Sequence, residues 1–368
     1  MKQSVCFDDV LLVPQYSEIE SRTKVDLSVS GFDDKVASLI SGYPDLTCPI
    51  VGSPMDTVIG PISAALLDEL GGFGILHRYC TIDEAVNSFL KVVELRKTPE
   101  NVSLVTNYRL PNVMVAIGAT GDFLERANAL YDAGCRAFCI DVAHGHHSSV
   151  KSALTLMRNK FGSDIHIMTG NVATLEAFND LADWGSSSIR VGVGGGSMCS
   201  TRIRTGHGIP TLQSVMDCGK SDRDVYLVAD GGIRNSGDAV RALASGADML
   251  MLGSILAGHD ESPGELVDEK GMTYKTKPHA GVPLFKKFRG MASKEAQMSW
   301  RGRVSVVEGE STMIPYKGSM RTTITEMLDG IRSGLSYSGA RTIRELRGKA
   351  RFVTVTPQGV QENKPHGK

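Results

Sequence analysis

Residues 165–196, IHIMTGNVATLEAFNDLADWGSSSIRVGVGGG, decide the fold, because two apolar, β-rich runs flank a segment with helical spacing. In IHIMTGNV (165–172) and SIRVGVGGG (188–196) apolar residues crowd together, the pattern of a parallel strand covered on both faces. TLEAFNDLADWG repeats its apolar residues at helical intervals and stops at a glycine suited to the position just past a helix. The three pieces make one strand–helix–strand unit.

The same alternation runs outward in both directions. CPIVGSPM (48–55), FGILHRY (73–79), VMVAIG (113–118) and AFCIDVAHG (137–145) precede the unit, and VYLVADGGI (225–233) and DMLMLGS (248–254) follow it. GDFLERANALYDAG and SGDAVRALASG are further helical segments closed by glycine. Eight strand–helix units at roughly 25-residue spacing predict a (β/α)8 barrel, a TIM barrel of class α/β. A doubly wound open sheet is the alternative. The barrel is preferred because polar and glycine residues follow nearly every strand, at the end where barrel enzymes build their sites. Residues 259–318, after the eighth strand, are polar, charged and glycine-rich and too long for an ordinary connection, so they are expected to form an active-site flap or lid. TTITEMLDGIRSGLSY then reads as the last barrel helix, and 356–368 as a mobile tail. The whole of 1–368 is thus expected to be a single catalytic domain.

Composition narrows the function class. At 368 residues, with 41% hydrophobic and 22% charged residues, the chain can bury a large core. A net charge of −1 gives no basic field for nucleic acid or a membrane surface, which favours a small-molecule substrate. No apolar run reaches the roughly 18–20 residues of a membrane helix, and the N-terminus does not read as a signal peptide, so a cytoplasmic location is expected. The seven cysteines are odd in number, scattered and free of CxxC spacing, which argues for reduced thiols over disulfides or a zinc site.

One of those thiols stands apart. In VGVGGGSMCSTR (191–202), Cys199 hangs on a glycine-rich loop directly after a strand. The glycines let the backbone approach a ligand, and a thiol is a strong nucleophile once its surroundings favour the thiolate. The competing reading, a buried small hydrophobe, fits poorly with flanks of Gly, Ser, Thr and Arg. The run half-imitates a dinucleotide fingerprint, but its third glycine is misplaced and no acidic residue follows at the ribose distance, so a Rossmann site is rejected.

These pieces together resemble the IMP dehydrogenase and GMP reductase family. FDDVLLVP (7–14), SPMDTV (53–58), IDVAHGH (140–146), GNVAT (170–174), GGGSMCSTR (194–202), ADGGIRNSGD (229–238), MLGSILAG (251–258), FRGM (288–291) and PYKGS (315–319) match it in order. Three features make the chain most like GMP reductase. HDES (259–262) looks like the reductase version of its loop; only a short segment separates FGILHRY from VMVAIG, leaving no room for paired CBS modules; and the span from Met291 to Glu308 lacks the Arg-Tyr pair of the dehydrogenase flap, Trp300-Arg301 standing near without a tyrosine. ADGGIRNSGD reads more like the dehydrogenase, and GGGS replaces the usual GPGS. The alternative is therefore an IMP dehydrogenase without CBS modules, and a third reading is a nucleotide-sensing barrel that has lost catalysis.

The resemblance implies NADPH-dependent conversion of GMP to IMP and ammonia, with Cys199 forming a thioimidate at purine carbon 2 and Thr201 with Glu308 protonating the departing amine. It implies that Asp230 accepts the ribose hydroxyls, that amides of Gly232, Gly253 and Ser254 hold the phosphate, and that Ser53 and Met55 lie near ribose and base. The Gly290, Met291 and Ala292 backbone, with Gly309, would meet the purine. For NADPH it implies Arg78, Asp141, Val142 and Ala143, with Ser21, Arg22, Ser333 and Ser336 toward the adenosine part across a subunit boundary. A K+ ion on carbonyls of Gly194, Gly196 and Cys199, and a homotetramer, are implied as well. HGHH (144–147) lacks a carboxylate or third-ligand pattern and is not read as a metal site.

Overall fold

In the computed structural model, residues 3–29, 45–97, 110–275, 277 and 281–363 are described. A short strand, β1 (Val10–Leu12), precedes eight strands that close into a parallel barrel: β2 (Ile50–Gly52), β3 (Phe73–Leu76), β4 (Val113–Ile117), β5 (Ala137–Asp141), β6 (His166–Val172), β7 (Ser188–Val191), β8 (Tyr226–Asp230) and β9 (Met249–Leu252). Closure is made by β2 on β9, with Val51 opposite Met251. The chain is a (β/α)8 barrel, and every barrel strand falls within a run read from the sequence.

Strand period two sorts the side chains into two cores. Val51, Ile75, Met114, Cys139, Met168, Val228 and Met251 point inward and fill the barrel. Their neighbours Ile50, Leu76, Val115, Phe138, Ile167, Ile189, Leu227 and Leu252 point outward beneath the helices. Complete burial of each large apolar side chain contributes about 1.5–3 kcal/mol before entropy is charged against it.

Helices follow the strands: α1 (Pro61–Glu69), α2 (Ile82–Leu95), α3 (Phe123–Asp132), α4 (Ser148–Phe161), α5 (Leu175–Asp183), the one-turn α6 (Thr201–Thr205), α7 (Thr211–Cys218) and α8 (Ser236–Ala244). Gly134, Gly185 and Gly246, just past α3, α5 and α8, have φ of 103°, 107° and 120°, the left-handed stop that the sequence pattern anticipated.

Beyond β9 the flap is more regular than its composition suggests. β10 (Leu266–Asp268), β11 (Thr273–Tyr274), β12 (Leu284–Arg289) and β13 (Ser311–Pro315) form an antiparallel sheet in the order β11-β10-β12-β13, and α9 (Lys294–Arg301) crosses between β12 and β13. The expected last barrel helix is α10 (Met320–Tyr337), and α11 (Ile343–Lys349) follows it. β14 (Phe352–Thr354) pairs with β1, so the two ends of the described chain meet. Part of the expected tail forms a helix, α12 (Pro357–Glu362), whereas 364–368 lie outside the described residues. None of the described helices is long and apolar enough to cross a membrane.

Candidate active site

The C-terminal ends of the barrel strands and the flap enclose a cavity of about 280 Å³. Cys199 reaches it from the loop between β7 and α6. Its amide donates to Gly196 O at 3.0 Å, which folds the glycine run into a tight turn and turns the residue outward. Among the seven cysteines it alone is exposed. Burial pushes the thiols of Cys48, Cys135, Cys139 and Cys218 up to about 12, which keeps them protonated and inert.

The flap closes onto this loop through its backbone. Ser200 N donates to Glu308 O at 2.9 Å, Glu310 N donates to Met198 O at 3.0 Å, and Cys199 pairs with Gly309 as an antiparallel bridge. That docking brings three side chains into line: the Cys199 thiol donates to Thr201 Oγ1 at 3.2 Å, and the Thr201 hydroxyl donates to Glu308 Oε2 at 2.7 Å. A continuous path for a proton runs from sulfur to carboxylate.

Within the flap, the buried Gln297 amide donates to Ala292 O and Val306 O and accepts from Ser305 N, holding the turn that carries Glu308. Outside it, the Arg289 guanidinium pairs with Asp56 of the loop after β2, and Asp56 N donates to Met291 Sδ at 3.4 Å. Trp300 sets its ring edge-on to Tyr79 with centroids 6.4 Å apart, and the Arg301 guanidinium lies over the same Tyr79 ring. These contacts, with the backbone docking at the Cys199 loop, seat the flap.

The ends of β5, β6, β7 and β8 build a charged network in the same cavity. Asp230 Oδ2 accepts from Arg190 Nε at 2.9 Å and from Asn171 Nδ2 at 2.7 Å. Arg190 Nη1 donates to Asp141 Oδ1 at 2.6 Å, while Arg78 Nε donates to Asp141 O at 3.1 Å. Arg190 is only 7% exposed; burial opposes its charge, but Asp230 and Asp141 overcome this and hold its pKa well above the ordinary value.

The cavity lining gathers most residues singled out in the sequence. Cys199, Thr201 and Glu308 are there, with Ser53, Met55, Asp230, Gly232, Gly253, Ser254, Gly290, Met291, Ala292 and Gly309, and with Arg78, Asp141, Val142 and Ala143. Gly194 and Gly196 line the same loop. Four do not join them. Ser333 lines a second cavity with Val13, Gly237 and Tyr337, and Ser21 caps the turn Arg22–Lys24, which packs against α10, the helix of Ser333 and Ser336. Two of the imidazoles in 144–147 are engaged elsewhere: His146 bonds Asp180 at 2.7 Å and His147 accepts from Ser149 N at the start of α4.

Arg190, Asn171 and Tyr79 also line the cavity and were not singled out. Arg190 did carry a signal, because a charged residue amid the apolar run SIRV needs a buried partner. Tyr79 and Asn171 had none beyond their place at the C-terminal end of a barrel strand.

Comparison with known proteins bears on the family and the fold. Residues 4–366 match the family model "IMP dehydrogenase / GMP reductase domain". Inosine-5'-monophosphate dehydrogenase from Cryptosporidium parvum is 34% identical over 99% of this chain and 95% of its own, and that from Nitrosopumilus maritimus is 30% identical over 99% and 98%. GMP reductase from Buchnera aphidicola is 34% identical over 96% of this chain and 94% of its own. Among solved structures, GMP reductase from Trypanosoma brucei in complex with guanosine 5'-monophosphate superposes with a TM-score of 0.86 at 26% identity, covering 100% of this chain and 98% of that one.

Proposed function

The chain belongs to the IMP dehydrogenase / GMP reductase family of oxidoreductases, and we propose that within it the protein is a GMP reductase, converting GMP to IMP and ammonia at the expense of NADPH. The observation that carries this reading is the short flap: between Met291 and Glu308 there is one helix and no tyrosine, and Arg301 is turned onto Tyr79 of the barrel. The Arg-Tyr pair that would activate water in a dehydrogenase has no counterpart there. The match to the Buchnera GMP reductase extends over 362 positions, and those to the Cryptosporidium and Nitrosopumilus dehydrogenases over 405 and 489, so the chain lacks a long insertion that the last of these carries.

The residues present balance the first step. Cys199 sulfur bonds to purine carbon 2, its proton passes through Thr201 to Glu308, and the same path returns that proton to the 2-amino group, which leaves as ammonia. A thioimidate remains on Cys199. NADPH, when bound, supplies the hydride that replaces sulfur on carbon 2. Asp230 keeps Oδ1 free of protein partners among the described residues, as an acceptor for the ribose hydroxyls must. Gly253 and Ser254, in the turn after β9, would offer amides to the phosphate.

Asp141, Val142 and Ala143 at the end of β5, and Arg78, whose guanidinium donates to Asp141 O, fit the nicotinamide half, since they border the cavity together. Ser21, Arg22, Ser333 and Ser336 fit the adenosine half of a dinucleotide bound to a neighbouring subunit, which accords with a homotetramer. K+ would sit on carbonyls of Gly194, Gly196 and Cys199; Gly196 O already accepts one amide and retains a second lone pair for a cation. The experiment is direct: purified protein is mixed with GMP and NADPH, and separately with IMP and NAD, and the nicotinamide absorbance is followed. NADPH consumption with GMP alone, yielding IMP and ammonia in equal amounts, is the expected result. NAD reduction with IMP and no reverse activity would overturn the assignment in favour of the dehydrogenase.

A further inference from the structure

Among the described residues, Arg190 is the one side chain that hydrogen-bonds both the carboxylate assigned to the purine nucleotide and the carboxylate assigned to the dinucleotide. Its Nε and Nη2 each lie 2.9 Å from Asp230 Oδ2, and its Nη1 lies 2.6 Å from Asp141 Oδ1. Each carboxylate commits one oxygen to the guanidinium. The other oxygen accepts no protein hydrogen bond among the described residues: Asp230 Oδ1 has no partner there, and Asp141 Oδ2 makes only an ion pair to Arg78 Nε at 3.9 Å, beyond hydrogen-bond reach.

We propose that Arg190 is a positioning residue that couples the two nucleotide sites, so that a ribose held by Asp230 orders the guanidinium and with it the Asp141 carboxylate that receives the dinucleotide. Three features of the geometry support this. The guanidinium is planar and rigid, so its two carboxylate bonds cannot be adjusted independently. It is buried, so water does not replace a bond that loosens. It has little freedom to retreat, because Nη1 also donates to Cys139 Sγ at 3.6 Å in the barrel interior and Asn171 ties Asp230 to Gly192 O. Ordering bought by the first ligand is then not charged to the second, which is positive cooperativity without a large movement.

This inference rests on the nucleotide reading of the site, and the test separates the two. IMP and NADPH do not react with each other in either direction of the family's chemistry, so their ternary complex can be titrated at equilibrium. The dissociation constant of IMP is measured by calorimetry on the wild-type protein, alone and with saturating NADPH, and repeated for Arg190→Lys and Arg190→Gln. The wild type is expected to bind IMP about 5–50-fold tighter with NADPH present. In Arg190→Lys, which keeps the charge but cannot fork between two carboxylates, that ratio is expected to fall to within about twofold of one. A merely structural role would weaken both binary affinities and leave the ratio alone. A wild-type ratio of one, or a ratio retained in the variants, overturns the coupling even where Arg190→Gln fails to fold, since the wild type and the lysine variant suffice. Failure of IMP to bind the wild type at all overturns the nucleotide reading and the coupling together, whereas IMP binding with a ratio of one overturns the coupling alone.

Discussion

Thr201 and Glu308 stand 107 positions apart in the chain, yet the hydroxyl of one donates to the carboxylate of the other at 2.7 Å. The bond exists because flap and loop are already joined through backbone at Ser200, Cys199 and Glu310. Glutamine at 308 can still accept from Thr201 but cannot take up and return a proton. Glu308→Gln is therefore expected to slow ammonia release by about 10²–10⁴, with a smaller loss in the hydride-transfer half-reaction. Single-turnover kinetics of each half-reaction check this; equal losses in both would assign Glu308 to holding the flap shut.

Cys199→Ala removes the nucleophile and leaves the ribose and phosphate contacts in place. Covalent adduct and turnover are expected to vanish, while the dissociation constant of GMP stays within about tenfold of wild type. Mass spectrometry of protein quenched with GMP and NADPH reads the first, and calorimetry the second. Residual turnover in the alanine variant would exclude the thioimidate route.

The barrel was legible because each strand is buried on both faces and so concentrates apolar residues into a run that a helix cannot mimic at that length. Ends were harder to place: AFCIDVAHG overshoots β5 because Val142 and Ala143 stay apolar to line the cavity. The flap sheet escaped notice for a physical reason. In β12, Leu284, Lys286 and Phe288 all face inward, but the middle position is a lysine whose ammonium donates to His259 O and Ser262 O at 2.8 Å, so alternation is hidden by a buried charge. The pairing of β1 with β14 joins residues at opposite ends of the sequence, and nothing local announces it. Cysteine, threonine and glutamate could be named from family motifs, whereas the bridge through Arg190 needed coordinates, since no spacing reveals that β5 and β8 offer it two carboxylates.

Gly192 is the position where the barrel tolerates least. Its φ is 144°, and a Cβ there would lie 2.1 Å from the Asp230 carbonyl oxygen, which is backbone and cannot swing aside. Gly192→Ala is expected to cost about 2–5 kcal/mol from backbone strain plus overpacking and to weaken GMP binding by displacing Asp230. Gly206→Ala is the control, having a φ of 71° with nothing within 4 Å, and should cost only about 1 kcal/mol. Denaturant unfolding of both variants checks the contrast; equal losses would mean that the loop shifts freely and the clash is relieved.

His259 ties the root of the flap to the barrel and makes stability depend on pH. Its ring nitrogens lie 3.1 Å from Gly318 O and 3.0 Å from Ile255 O, and burial holds its pKa below 6.5, outweighing the two carbonyls that favour the cation. Around it, Lys286 donates to the His259 carbonyl and Lys317 donates to Ser254 O and Ile255 O, while Asp260 and Glu261 flank it in sequence. A protonated ring would add a third cation to this cluster. The sign follows from the depressed folded value: at high pH both states hold the ring neutral, and as pH falls below 6.5 the unfolded chain takes up the proton first, so stability is lost. The loss attributable to one such group cannot exceed about 1.4 kcal/mol per pH unit. His259→Gln, which keeps an amide donor for one carbonyl but does not titrate, is expected to flatten the decline between pH 7 and pH 5 by up to that slope. Unfolding free energies of wild type and variant across that range decide the matter; parallel curves would show that His259 contributes nothing to the pH dependence and that other histidines account for it.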